Sequence, residues 1–200
     1  MELKEYIAIF KKNFRTFLLT VGIVLIGGLV FYKLTPLTYK IILDLNVTRT
    51  GIQETGDYQY DNFYRLQADE RFADTVARWL GSPWIQEKIY SGANAGSEQR
   101  KIKAQRLSSQ FIQVTFTLRD RSQAKNISRS IVENINKQAE ELNKFQKEKN
   151  WFTILGNEPV VRENKIGLAL AAVIFLALGI FIGIWAVMIR HYFSHENNRT

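Results

Sequence analysis

Three carboxylates, Asp69, Glu70 and Asp74, fall close together in a stretch with helical periodicity. Acid–base chemistry needs two such groups held at a reacting atom with their pKa values pushed apart. Carboxylates four residues apart on a wet helix face only repel one another weakly, and that solvated reading accounts for these three. The two histidines, His191 and His195, lie near the C-terminus, beyond the last apolar run. There is no cysteine, so a thiolate nucleophile, a disulfide and a thiolate metal site are all excluded. No G-x-S-x-G and no phosphate-binding glycine loop occurs. The residues give no catalytic group, metal or cofactor, and the expectation is a protein that is not an enzyme.

Binding is better served. Arg100, Lys101, Lys103 and Arg106 form a basic cluster that could meet an acidic glycan or the phosphates of a lipid leaflet, against the plainer reading of a solvated loop. Tyr58, Tyr60, Phe63, Tyr64, Trp79 and Trp84 could stack on sugar rings, although Trp79 lies on an apolar stripe and reads as core. Gly179 and Gly183 have GxxxG spacing, extended by Ala172 and Ala186. Small residues at that spacing let helix backbones approach, which suits packing between spans or between neighbouring copies, and Gly179 and Gly183 are the candidates for transmembrane oligomerisation.

Those glycines sit in one of two uncharged apolar runs, Phe17–Tyr32 and Ile166–Ile189. The second reaches roughly 36 Å as a helix, enough to cross a ~30 Å hydrocarbon core with tilt. The expected boundaries are a cytoplasmic amphipathic helix over 1–15, spans over 16–34 and 166–189, and a tail over 190–200. Residues 35–165 then form one extracytoplasmic domain. Lys4, Lys11, Lys12 and Arg15 before the first run, with Arg190 after the second, place both termini in the cytoplasm by the positive-inside tendency. No small-x-small site follows the first run, where the chain reads FYKLTPLTYK, so an anchor is preferred to a signal peptide. Leu3, Tyr6, Ile7, Phe10 and Phe14 recur at helical spacing and suit the membrane interface. Trp185 and Tyr192 read as interfacial anchors.

The chain carries a formal net charge of +8, but Leu34–Lys165 holds 20 Lys/Arg against 16 Asp/Glu, a balance of only +4. That argues against a nucleic-acid partner, which demands a clustered basic face. Within this segment Tyr39, Ile41, Leu43, Leu45 and Val47 alternate with polar residues as a half-buried strand. Residues 49–60 read as a loop. Phe63, Leu66, Phe72, Ala73, Val76, Trp79 and Leu80 follow a helical period ended by Gly81-Ser82-Pro83. Trp84–Tyr90 forms a short helix with Ser82 as a cap, and 91–98 a connector. Ile112, Val114, Phe116 and Leu118 mark a second strand. A long helix follows, capped by Asp120 or Ser122, with Ala124, Ile127, Ile131, Ile135, Ala139, Leu142 and Phe145 on one stripe. Trp151–Leu155 is a last strand. The order β-α-α-β-α-β predicts an α+β fold, a small mixed sheet packed by amphipathic helices.

Three stretches carry a family resemblance: LKEYIAIFKKNFRTFLLTVGIVLIGGLVFYKLTPLTYKIILDLNV, then FIQVTFTLRDRSQAKNISRSIVENINKQAEEL, then WFTILGNEPVV with the last span. Their order resembles the Wzz-type chain-length determinants, or polysaccharide co-polymerases, of bacterial surface-polysaccharide export. Asp120, Ala124 and Asn134 match that family's strand–Asp–helix unit. The resemblance covers the two ends and residues 110–160, while 49–105 match only in helical character. This chain has Pro159 alone where the family shows several prolines before the second span, and it lacks room for a long outward arm, like a minimal member. The resemblance implies a non-catalytic scaffold of the bacterial inner membrane, acting as a homo-oligomeric ring. It would set the length of an O-antigen, capsule or exopolysaccharide beside a membrane-embedded polymerase or exporter. A variant within the class activates a separate cytoplasmic tyrosine kinase through residues 190–200. The rival from another class is a two-span sensor, for which RHYFSHENNRT is too short to be an output module.

Overall fold

The computed structural model describes residues 9–49, 61–95, 101–145 and 152–196. The chain divides into two compact units, Leu37–Asn164 and the paired ends Met1–Pro36 with Lys165–Thr200. The first is an α+β unit.

Its centre is β1 (Tyr39–Arg49), where the alternation predicted from sequence holds: Ile41, Leu43, Leu45 and Val47 are buried. β3 (Phe111–Leu118) pairs antiparallel with it, Tyr39 opposite Leu118 and Asn46 opposite Phe111. The sheet has two strands the periodicity did not suggest, β2 (Lys103–Arg106) beside β3, and β5 (Val160–Glu163) beside the first half of β1. β4 (Phe152–Gly156) pairs with the second half of β1. Every pairing is antiparallel, so the expected mixed sheet is corrected. The new strands are four residues each (KAQR and VVRE), too short and too polar for a period-two signal.

β4 and β5 are one strand broken by a bulge. Leu45 stands opposite Gly156 and Ile42 opposite Val160, so Leu43 and Asp44 face three residues, Asn157, Glu158 and Pro159. One extra residue is the defining feature of a bulge. The Asn157 N–H still donates to the Asp44 carbonyl at 3.0 Å, and Pro159, with no N–H, sits where the ladder is already interrupted.

Three helices cover one face. α2 (Asp61–Gly81) buries Phe72, Ala73, Val76 and Leu80. Phe63 and Leu66, expected on the same stripe, are instead 66 % and 49 % exposed. α3 (Pro83–Gly92) starts at Ser82, whose side chain makes no cap bond; its carbonyl accepts from the Gln86 N–H at 3.0 Å. Asn94, at φ 51°, closes the end of α3 in the left-handed region that asparagine tolerates. Asp120 caps as expected, accepting from the Ser122 N–H at 2.9 Å, and opens a 3-10 turn over Arg121–Gln123.

α4 (Ala124–Asn143) then buries Ala124, Ile127, Ile131, Ile135 and Ala139 at three- and four-residue steps. Leu142 and Phe145 continue that spacing yet are exposed, because the stripe has run past the buried core. Asn134, which the resemblance singled out, donates to the Ser130 carbonyl at 2.8 Å. Asn136 does more: its amide accepts from the Ile154 N–H at 2.8 Å and donates to the Ile154 carbonyl at 2.9 Å. These bonds satisfy outward backbone groups on edge strand β4 that would otherwise invite another strand.

Near the end of β1 a polar node joins three elements. Asp69 of α2 is only 6 % exposed. It accepts from Arg49 Nε at 2.8 Å and from Gln110 Nε2 at 2.7 Å. The Arg49 guanidinium lies 4.7 Å over the Phe152 ring, which stacks on Phe72 at 4.1 Å. The solvated reading of Asp69 is thereby corrected: it is a buried acceptor between β1 and the β2–β3 turn. Removing one partner of a buried pair strands the other charge, at a cost of about 3 kcal/mol. Asp69→Ala is expected to lower unfolding stability in urea by about that amount. The apolar pair Arg49→Met with Asp69→Leu should recover most of the loss.

Candidate membrane anchor and basic cluster

The second unit is a pair of antiparallel helices. α1 (Phe14–Leu34) begins two residues before the expected span, with residues 9–12 helical ahead of it; residues 1–8 of the expected amphipathic helix lie outside the described residues. α5 (Leu168–Glu196) begins two residues late and runs on through Arg190. The expected tail is therefore helical as far as Glu196. By length and composition both helices suffice to cross a membrane. The core helix of a water-soluble protein would hide its apolar side chains, whereas Leu19 is 67 % and Ile23 is 69 % exposed. Trp185 and Tyr192, expected as interfacial anchors, are exposed on α5. The Thr20 hydroxyl donates to the Thr16 carbonyl at 2.9 Å, which leaves no unpaired polar group in mid-helix there.

The glycines identify what the GxxxG spacing touches. α5 turns Ala171, Gly179, Gly183 and Val187 inward at multiples of four residues, so they share one face. A Cβ at Gly179 would stand 3.3 Å from the Val21 carbonyl oxygen and 3.4 Å from its Cα. At Gly183 it would meet the Phe17 ring at 2.8 Å. On the opposite helix, Gly28 receives the ring of Phe175. Small residues on α5 thus meet larger ones on α1, and the reverse at Gly28, so the two backbones close on each other within one chain. Of the two uses expected of Gly179 and Gly183, the contacts with Val21 and Phe17 are packing between α1 and α5 of one chain. At one end of the pair the Tyr32 hydroxyl donates to the Ile166 carbonyl at 2.8 Å, and Lys165 Nζ lies 4.3 Å over the Tyr32 ring. At the other end Arg190 donates to the Thr16 hydroxyl.

The basic cluster is divided. Arg100 lies outside the described residues, as do Tyr58 and Tyr60. Lys101 is exposed just before β2. Lys103 stands opposite Thr115, and Arg106 opposite Ile112, so their side chains leave β2 on opposite faces. Arg106 faces the helices. Its Nε meets Asp74 at 2.6 Å and its Nη2 meets Glu70 at 2.9 Å. The hydrogen bond that Arg106 donates to Asp74 raises the Arg106 pKa above its ordinary value, against a lowering by desolvation. A cation whose pKa rises on folding stabilises throughout the range below its unfolded pKa and loses that only in strong alkali. The guanidinium therefore stays charged across all ordinary pH. Glu70 and Asp74, expected as solvated carboxylates, are partners of this arginine at 42 % side-chain exposure each.

Of the aromatics, Trp79 packs against the core and meets Phe72 edge-on at 5.8 Å, as its stripe position implied. Phe63 and Tyr64 are exposed and meet each other at 5.9 Å. Trp84 is 52 % exposed with Lys88 Nζ 3.7 Å over its ring.

No family model and no curated protein matches this chain.

The helix pairing gives a direct test, since the sequence has no cysteine to interfere. Val21→Cys with Gly179→Cys places two thiols within disulfide range. Oxidation should yield a cross-linked monomer of altered gel mobility and no dimer. Adding Gly183→Leu should lower the cross-link yield severalfold by forcing α5 away from Phe17.

Proposed function

We propose that this chain is a non-catalytic scaffold of a bacterial cytoplasmic membrane that regulates the polymerisation, length or export of a surface polysaccharide. In this reading α1 and α5 span the membrane, both termini are cytoplasmic and Leu37–Asn164 is extracytoplasmic. The protein acts as a homo-oligomer beside a membrane-embedded polymerase or exporter and makes no bonds itself.

One observation carries the reading. β1 and β5 pair side by side, so the chain enters and leaves the α+β unit at one end of the sheet. Four residues separate Leu34 from Tyr39, and four separate Glu163 from Leu168. Two links this short favour lateral association of the unit over reaching outward. Gly179 and Gly183 already meet α1 of the same chain, so the α+β unit is the surface this reading assigns to the association. The continuation of α5 through Arg190 also supports the adaptor variant, giving a cytoplasmic kinase a helical segment to meet.

Chemical cross-linking in native membranes should give a ladder beyond dimer, and loss of the chain should shift the length distribution of the surface polysaccharide. Monomer alone, with an unchanged distribution, would exclude the scaffold. Deleting 190–200 should abolish phosphorylation of a co-expressed kinase only if the adaptor variant holds.

A further inference from the structure

Among the described residues, none on the sheet face opposite the helices is buried. That face carries Lys40, Ile42, Asp44, Asn46 and Thr48 of β1 with their cross-strand partners. Its charge is uneven. Lys40 stands directly opposite Arg162, and both are exposed. In the next row Lys103 shares the face through Thr115, which pairs with Ile42. Strand spacing puts Lys103 roughly 10–12 Å from Lys40.

Like charges directly opposite on neighbouring strands repel. Among the described residues neither Lys40 nor Arg162 forms an ion pair. The acids nearby are otherwise placed. Asp44, on the same face, accepts from Gln113 at 3.5 Å; Glu163 stands opposite Tyr39 on the other face; Glu158 meets Lys125 at 3.8 Å. Lys40 comes six residues after the end of α1, and Arg162 six residues before the start of α5. An extended chain of that length reaches at most about 20 Å, so both cations are leashed to the helix ends. Thr38 and Asn164 shorten the leash from both sides, the Asn164 N–H donating to the Thr38 carbonyl at 2.7 Å.

We propose that Lys40, Arg162 and Lys103 form a docking surface for the phosphate headgroups of anionic phospholipids in the leaflet on the side of the α+β unit. The inference rests on the reading that α1 and α5 cross the bilayer. Charge complementarity selects the ligand, and the tethers keep it in range. Each cation near an anionic surface raises occupancy roughly fivefold, an effect that salt screens.

The full chain carrying Thr117→Cys, its single cysteine, is labelled with an environment-sensitive fluorophore; Thr117 stands opposite Lys40. It is placed in nanodiscs of phosphatidylcholine with rising phosphatidylglycerol. Emission should shift to the blue as phosphatidylglycerol rises and return when salt is raised. Lys40→Gln, Arg162→Gln and Lys103→Gln together, with an unchanged circular dichroism spectrum, should weaken the response at least fivefold. An equal emission in neutral and anionic discs would overturn the proposal, as would a full response in the triple variant. Inorganic phosphate reproducing the shift on neutral discs would do the same, by assigning the cations to a free anion. A chain not retained by the discs on size exclusion would instead overturn the two-span reading itself.

Discussion

The pairing of β1 with β5 is the constraint on which the rest depends. It brings Thr38 and Asn164, 126 positions apart, into hydrogen-bond contact. The intervening chain as a whole must then leave from one end of the sheet and come back to it. β1 can hold the centre because it is long enough to pair with β3 along one side and with β4 and β5 in succession along the other. The bulge at Asn157–Pro159 lets one returning segment do both jobs while changing its register by one residue. Loop closure over so long a chain is entropically costly but grows slowly with length, and the buried face of β1 is what offsets it.

At the far end of β1 the Arg49–Asp69–Gln110 node fixes α2 and the β2–β3 turn. It differs from the Arg106 contacts in kind. Asp69 is buried, so losing a partner leaves a desolvated charge, whereas Arg106, Glu70 and Asp74 keep access to water that screens them. Packing outweighs both. The three buried isoleucines of α4, Ile127, Ile131 and Ile135, each contribute on the order of 1.5–3 kcal/mol, and Asn136 then secures the sheet edge they cover.

Much of this was legible in the sequence, and the failures have physical causes. β1, β3 and the core of α4 declare themselves because one face is buried and the period is clean. β2 and β5 do not, since four residues with charges on both sides carry no period. Phe63, Leu66, Leu142 and Phe145 keep helical spacing beyond the part of the helix that packs, so periodicity overstated the core. The GxxxG spacing announces a close helix contact but not the partner; the contacts at Val21 and Phe17 give one within the chain. The basic cluster is contiguous in sequence, yet alternation along β2 sends Lys103 and Arg106 to opposite faces. Lys40 and Arg162, far apart in the chain, become neighbours only through the β1–β5 register.

The structure thus has two closures, one between β1 and β5 and one between α1 and α5, joined by two short connectors. Neither closure needs a second copy, whereas the proposed scaffold requires that such protomers associate. Counting photobleaching steps of a singly labelled chain in its native membrane tests that most directly. The account predicts spots that bleach in more than two steps, with the same count when the α1–α5 pair is locked by a disulfide. Spots that bleach in a single step would contradict it.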